Sequence, residues 1–183
     1  MNILRTENLT KYYGQEPVLV KALDGVTLEV EQGSFTAIVG TSGSGKSTLL
    51  HMLGGLDTPT GGSVIVDGQE LSGMDRNALT IFRRRKIGFI FQNYNLIPNL
   101  TIYDNILLPV ELDGREPDEP YMMEVVRTLG LDDKLSRKPG KLSGGQQQRA
   151  AIARALAAKP AIILADVNWT MVFDCIYRIL CLK

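Results

Sequence analysis

Apolar and polar residues alternate in the first third of the chain, a pattern typical of half-exposed β-strands. The alternation covers residues 3–11 and 22–31, and a third short strand is predicted at residues 63–68. The first strands are joined by connections too short to hold crossover helices, so they are expected to run antiparallel. The sequence therefore predicts an N-terminal antiparallel β subdomain.

The rest of the chain alternates between continuous apolar runs and helical patterns. Buried strands are predicted at residues 34–39, 87–92 and 161–166, and helices at residues 46–53, 75–85, 101–112, 122–129 and 143–158. Asp75 is expected to cap the second helix, Pro109 to interrupt or end the third, and residues 115–120 to form a polar loop. Strands that alternate with helices predict an α/β domain with a mostly parallel sheet.

Composition and charge are ordinary for a single globular domain. The 183 residues carry 20 Lys and Arg against 20 Asp and Glu, a formal net charge of +0, which argues against nucleic acid as a partner. The basic run at residues 83–86 is interpreted as a solvated helix end whose cations complement the helix dipole. We predict no signal peptide, and the longest apolar stretch, residues 171–182, is too short to span a bilayer.

Residues 40–48 match the phosphate-binding loop pattern G-x-x-x-x-G-K-[ST] without a mismatch. They are Gly40, Thr41, Ser42, Gly43, Ser44, Gly45, Lys46, Ser47 and Thr48. Glycines let backbone N–H groups surround the phosphates, Lys46 adds a positive charge, and the Ser47 hydroxyl can bind Mg²⁺. A chance Gly-Ser loop is the alternative, but a strand before the loop and a helix after it favour nucleoside triphosphate binding.

A second motif begins at Leu142 and continues with Ser143, Gly144, Gly145 and Gln146. Ser143 and Gln146 predict a capping box, and the two glycines leave bare N–H groups at a helix N-terminus. A well-capped surface helix would explain the cap but not the double glycine. The motif is therefore interpreted as an anion site.

With both motifs, the chain resembles the nucleotide-binding domain of ATP-binding-cassette (ABC) transporters, whose signature is L-S-G-G-Q. The resemblance implies that the signature contacts ATP held by a second copy in a head-to-tail dimer. It also implies that Asp166 and Gln92 bind Mg²⁺, that Gln92 acts near the attacking water, and that Tyr13 stacks on adenine. Asp166 and Gln92 have structural alternatives, a buried strand that simply ends in Asp and a surface residue at a strand end, and Tyr12 is the rival of Tyr13.

Three further segments are similar to one group within this family. Residues 53–61, 86–98 and 142–149 resemble the ATPases of macrolide export, lipoprotein release and antimicrobial-peptide export. The similarity extends from about residue 2 to Asp166. It implies a P-loop fold with an N-terminal antiparallel subdomain, a mostly parallel sheet and a helical signature subdomain at about residues 93–158.

The family pattern stops after Asp166. The family continues D-E-P-T-G and later has a histidine, whereas Val167 stands here in place of the catalytic glutamate and no histidine follows. A valine can neither orient nor polarise water. Residues 1–166 are therefore predicted to be an incomplete ATP-binding domain lacking its last strands, and residues 167–183 an aberrant tail. An evolved, shortened ATP sensor is the alternative.

The resemblance implies an ATP-binding subunit that couples ATP hydrolysis to transport through a separate membrane permease, at the cytoplasmic face of the membrane. ATP and Mg²⁺ are the expected cofactors, and this chain is predicted to hydrolyse ATP poorly. Two other functions stay open. One is a non-hydrolysing subunit that dimerises on ATP, and the other is a soluble ABC ATPase without a transport role.

Overall fold

The computed structural model describes residues 1–167, which divide into two compact units. The first unit is Met1–Arg83 and the second begins at Arg84. Except for Val167, the predicted tail lies outside the described residues. Each helix within residues 1–167 is too short or too polar to cross a lipid bilayer.

The first unit contains a four-stranded antiparallel sheet in the order β2-β1-β3-β4. Its strands are β1 (Asn2–Tyr13), β2 (Val20–Glu31), β3 (Gly61–Val66) and β4 (Gln69–Glu70). Leu4 of β1 pairs with Val30 of β2 on one side and with Val66 of β3 on the other. The predicted antiparallel subdomain is confirmed.

Two helices accompany this sheet, α1 (Lys46–Leu53) and α2 (Arg76–Lys86), and α2 continues into the second unit. The buried residues of α1 are Leu49, Met52 and Leu53. The α2 helix begins where predicted, since the Asp75 carboxylate accepts the N–H groups of Asn77 and Ala78, both at 2.8 Å. A side-chain cap of this kind stabilises a helix by about 1 kcal/mol.

The second unit packs three helices beside a parallel pair of strands. The strands are β5 (Ile87–Ile90) and β6 (Ile162–Ala165), and the helices are α3 (Ile102–Glu111), α4 (Glu119–Thr128) and α5 (Gly144–Ala157). Short 3₁₀ turns at Asp132–Lys134 and Pro139–Lys141 join α4 to α5. The core between these elements includes Ile90, Ile106, Val126 and Ile152, each 0% exposed.

One predicted strand is wrong in both pairing and burial. Residues 34–39 form no strand, and Val39 is 81% exposed. A strand requires a neighbour to complete its backbone hydrogen bonds. Neither sheet within residues 1–167 supplies one for this segment.

Two prolines also lie differently from the prediction. Pro109 does not interrupt α3, which ends at Glu111. A proline this close to a helix end removes one hydrogen bond, and little helix remains to be lost after it. Pro120 lies in the first turn of α4 rather than in a loop, and an N–H there has no partner within the helix anyway.

Part of the basic run at residues 83–86, predicted to be solvated, instead makes hydrogen bonds and ion pairs within the second unit. The guanidinium of Arg84 donates to the Leu112 carbonyl, while Arg85 and Arg115 bind Asp113 at 2.9 and 2.6 Å. The Asp113 side chain is only 2% exposed. Burial alone raises the pKa of this carboxyl, but hydrogen bonds and charges from Arg85 and Arg115 prevail and hold it below its ordinary value.

The lowered pKa of Asp113 makes the second unit sensitive to acid. Its charged carboxylate stabilises the fold fully above the unfolded pKa of about 3.9, and this contribution disappears as pH falls through the lower folded pKa. We expect Asp113→Asn to flatten the decline in unfolding free energy below about pH 5. Urea unfolding from pH 7 to acid measures this, with Asp132→Asn as an exposed control. Parallel curves for the wild type and Asp113→Asn would contradict the assignment.

Candidate functional site

The phosphate-binding loop lies exposed in the first unit, directly before α1. The Lys46 ammonium donates to the carbonyls of Gly40 at 2.9 Å and Thr41 at 2.6 Å, and to the Ser44 hydroxyl at 3.4 Å. The lysine thus folds back over the loop that precedes it. Its charge lies beside the backbone that the sequence predicts will surround the phosphates.

Gly45 is the residue that turns the loop into the helix. It is the N-cap of α1 with φ at 82°, and a Cβ atom there would lie 2.4 Å from the Ala22 carbonyl oxygen of β2. Both the left-handed backbone and the close approach require glycine. No side chain caps α1, and its first turn contains no acidic residue. The first N–H groups of α1 can therefore bind an anion.

Tyr13 ends β1 in the same unit and lies near the phosphate-loop helix. Its hydroxyl donates to the Asp57 carboxylate at 3.0 Å, and Thr48 lies close enough to affect the pKa of this hydroxyl. Burial, followed by the bond to Asp57, raises the pKa of Tyr13. The rival Tyr12 instead donates to Asp24. The structure thus brings Tyr13, and not Tyr12, near residue 48 of the phosphate-binding loop.

Gln92 and Asp166 lie in the second unit, just beyond the carboxyl ends of neighbouring parallel strands. Ile90 pairs with Ala165 at the end of the ladder, and the Asp166 N–H donates to the Ile90 carbonyl at 2.9 Å. Both residues therefore lie at one edge of the sheet, where ligands of parallel sheets bind. The Val167 side chain packs against the apolar core of this unit.

The signature residues begin α5 as predicted. Ser143 is the N-cap, and the capping box with Gln146 is complete, with 2.9 Å for Ser143 N–H to Gln146 Oε1 and 3.4 Å for the reciprocal bond. Gly144 and Gly145 form the first turn of the helix. The Tyr94 hydroxyl lies 3.3 Å from the place a Cβ atom of Gly144 would occupy. The segment after Gln92 therefore contacts the signature.

Sequence reasoning missed Arg154, which joins α5 to that same segment. Its guanidinium donates to the carbonyls of Asn95 at 2.6 Å and Tyr94 at 2.7 Å, and burial lowers its pKa. Tyr94 and Asn95 both have positive φ, at 58° and 49°. This uncommon backbone exposes two successive carbonyls to one guanidinium. An Arg on an Ala-rich helix carries no sequence signal for such a distant contact.

Asn105 of α3 was missed for the same reason. It is 0% exposed, accepts the Ile97 N–H at 2.7 Å, and donates to the carbonyls of Ile97 and Thr101 at 3.1 and 2.8 Å. It thereby fixes the far end of the segment that follows Gln92. The sequence shows only an Asn on the buried side of a helix.

Replacing Asn105 by leucine is expected to destabilise the chain by about 1–3 kcal/mol, because the fully buried Asn105 carboxamide and its hydrogen bonds to the Ile97 amide and to the Ile97 and Thr101 carbonyls are lost. Asn105→Asp keeps the acceptor but loses the donor, so we expect a smaller loss. Urea unfolding measures both, and the exposed Asn99→Leu serves as control. Equal unfolding free energies for wild type and Asn105→Leu would show that these hydrogen bonds contribute nothing.

The candidate residues thus fall into two sets. The phosphate-binding loop and Tyr13 belong to the first unit, whereas Gln92, Asp166 and the signature belong to the second. Together the fold and these motifs define a P-loop nucleotide-binding domain of mixed helix and sheet. The model of one protein family, described as ABC transporter, matches residues 23–168. The chain belongs to the ABC transporter family.

Individual relatives agree with this assignment. The chain is 44% identical over 165 residues to the lipoprotein-releasing system ATP-binding protein LolD of Bordetella avium, covering 89% of this chain and 72% of LolD. It is 45% identical over 168 residues to the macrolide export ATP-binding/permease protein MacB of Mannheimia succiniciproducens, covering 91% of this chain but only 26% of MacB. The predicted similarity to lipoprotein-release and macrolide-export proteins is confirmed.

A solved structure supports the same fold. The ATP-binding cassette MJ0796, in a dimeric post-hydrolysis state bound to ADP and Pi, superposes with a TM-score of 0.84 at 42% sequence identity. The match covers 96% of this chain and 79% of that one. The predicted fold class, an antiparallel N-terminal sheet with a parallel sheet and helices, is confirmed.

Proposed function

We propose that this chain is an ATP-binding subunit of an ABC exporter and that it binds Mg-ATP through residues 40–48. The observation that carries the proposal is the position of Lys46, whose ammonium lies within 2.9 Å of the Gly40 and Thr41 carbonyls beside the open N-terminus of α1. A cation beside free helix N–H groups suits the triphosphate. Tyr13, next to Thr48, would receive the base.

The oxygen donors suit Mg²⁺. The cation prefers hard oxygen ligands and is usually bound through one or two protein groups together with substrate phosphates. The Ser47 hydroxyl lies in the exposed first turn of α1, and Asp166 and Gln92 follow neighbouring strands. Ser47 and Asp166 would hold the metal with Gln92 nearby, and the bound metal would neutralise phosphate charge.

The signature would serve ATP bound by a second copy. Ser143, Gly144, Gly145 and Gln146 offer a capped helix N-terminus, and the cassette MJ0796 is described as dimeric. Names of relatives support a permease partner, since LolD is part of a lipoprotein-releasing system and MacB joins ATP-binding and permease functions. We propose that two copies form a head-to-tail dimer and that this dimer binds a membrane permease at the cytoplasmic face of the membrane.

Hydrolysis by this chain depends on the residue at position 167. Val167 occupies the position of the catalytic glutamate, and its apolar side chain packs against the core instead of offering a carboxylate. This observation favours a second candidate function, a subunit that dimerises on ATP without turning it over. In that case residues 40–48 and 143–146 would act in binding alone.

Calorimetric titration with Mg-ATP, followed by light scattering with and without nucleotide, tests the proposal. We expect saturable binding of one ATP per chain and a nucleotide-dependent increase in mass towards the dimer. The double variant Ser143→Ala/Gly145→Ala should retain ATP binding and lose the dimer. Absence of ATP binding by the folded wild type would overturn the proposal.

A further inference from the structure

The end of β1 carries two similar networks, each consisting of a tyrosine, an aspartate and a lysine. In the first, the Tyr13 hydroxyl donates to Asp57 at 3.0 Å, and the Lys11 ammonium binds the other carboxylate oxygen at 2.8 Å. The same ammonium lies 4.9 Å from the centre of the Tyr13 ring. The ring is thus fixed at its hydroxyl and is contacted on one face by a cation.

This network is anchored to the backbone as well. Asp57 accepts the Thr58 N–H at 2.7 Å, and Lys11 donates to the Thr58 carbonyl at 2.7 Å. The Lys11 side chain is 12% exposed, whereas Tyr13 remains 43% exposed. The Lys11 side chain is therefore largely covered, the Asp57 side chain is 38% exposed, and much of the ring is open to a ligand.

We propose that Lys11 and Asp57 are positioning residues that hold the Tyr13 ring ready to stack on the base of the bound nucleotide. The inference rests on the proposed function, because it needs a nucleotide on residues 40–48. Lys11 occupies one face of the ring, so the base stacks on the opposite face. Asp57 balances the Lys11 charge and fixes the hydroxyl, and both contacts limit rotation of the ring before the base arrives.

The physical gain is pre-organisation. Stacking of a base on an aromatic ring contributes about 1–3 kcal/mol, and a ring that is already oriented loses less side-chain entropy on binding. A cation at one ring face is itself attracted to the π-system. The phosphates make no use of this network, so its effect should be confined to the base.

The test compares two ligands that share the triphosphate and differ in the base. Dissociation constants for Mg-ATP and for magnesium tripolyphosphate are measured by calorimetry, and their ratio reports what the nucleoside adds. We expect Tyr13→Ala to reduce the preference for ATP about 10- to 100-fold, in line with the value of one stacked base. Asp57→Ala and Lys11→Met should each reduce it about 3- to 10-fold while leaving tripolyphosphate affinity unchanged.

A mutant cycle separates positioning from general loss of structure. Tyr13→Phe keeps the ring and loses only the hydroxyl bond to Asp57, so its effect should be no larger than that of Asp57→Ala, which also removes the Lys11 ion pair. The double variant Tyr13→Phe/Asp57→Ala should then match Asp57→Ala, because that change has already removed the partner of the hydroxyl. A variant that damages the fold would instead bind both ATP and tripolyphosphate more weakly and would melt at a lower temperature.

The second network at the end of β1 supplies the matched control. Tyr12 donates to Asp24, and Lys21 lies 3.5 Å from that carboxylate and 5.3 Å from the centre of the Tyr12 ring. Asp24→Ala and Lys21→Met remove equivalent groups and should leave the ligand ratio unchanged. If Asp24→Ala and Lys21→Met changed the ligand ratio while Asp57→Ala and Lys11→Met did not, the proposal would be overturned and the base would be assigned to Tyr12.

The remaining outcomes distinguish the inference from the function beneath it. If Tyr13→Ala lowers the ratio but Asp57→Ala and Lys11→Met do not, the positioning role is overturned and the stacking role stands. If wild type binds ATP no better than tripolyphosphate, there is no base contact to position, and the inference fails while phosphate binding stands. If neither ligand binds the folded protein, both the inference and the proposed function fail.

Discussion

Replacing Lys46 by alanine is expected to weaken Mg-ATP binding about 30-fold or more. Loss of one member of a close charge pair costs about 2–5 kcal/mol, and each 1.4 kcal/mol is about tenfold in affinity. The structure adds a second reason, because the ammonium also bonds the carbonyls of Gly40 and Thr41. Its loss should leave the empty loop less ordered as well. Calorimetric titration measures the effect.

A suitable control for this variant is Lys21→Ala. The Lys21 side chain is 54% exposed and lies in β2 of the same unit. Its replacement by alanine removes the same charge as Lys46→Ala. We expect its ATP affinity to equal that of wild type. If Lys46→Ala retained ATP affinity within a factor of about three, the phosphate-loop assignment would be wrong.

Replacing Val167 by glutamate is expected to increase ATP turnover about 100-fold or more, the range in which a positioned general base contributes. The position directly follows Asp166, beyond the end of β6. The valine side chain packs against the core, so the glutamate carboxylate should turn away from it to stay hydrated. Phosphate release at saturating Mg-ATP measures turnover.

Val167→Gln is the matched control, since glutamine has the size and polarity of glutamate but cannot accept a proton as a base. We expect its turnover to remain at the wild-type level. Turnover in wild type equal to that of Val167→Glu would mean that another group activates water. Equal gains from Gln and Glu would point to relief of packing at this position.

Sequence reasoning succeeded where neighbouring residues decide the structure. The α1 helix begins at Lys46 as expected, because the glycine before it and the helix formers after it specify the turn locally. Asp75 and Ser143 were recognised as caps for the same reason, since each binds amides within three residues. The antiparallel pairing of β1 and β2 followed from a short connection.

Long-range contacts were beyond the sequence. Arg154 binds carbonyls about sixty positions away, and that contact depends on two residues with uncommon positive φ. The strand predicted at residues 34–39 failed because strand formation depends on a neighbour as well as on an apolar run. The two positioning candidates, Lys11 and Asp57, likewise meet only after β1 folds beside the turn that follows α1.

The close approach of α5 to β5 has a mechanical consequence. A Cβ atom at Gly88 would lie 2.6 Å from the Ala155 carbonyl, so helix and strand touch backbone to backbone. Arg154 adds a second attachment, to the segment after Gln92. We therefore expect the signature and Gln92 to move as one rigid body. If ATP bound at Ser143 and displaced the start of α5, Gln92 would be displaced with it, and no segment between the two residues would have to unfold.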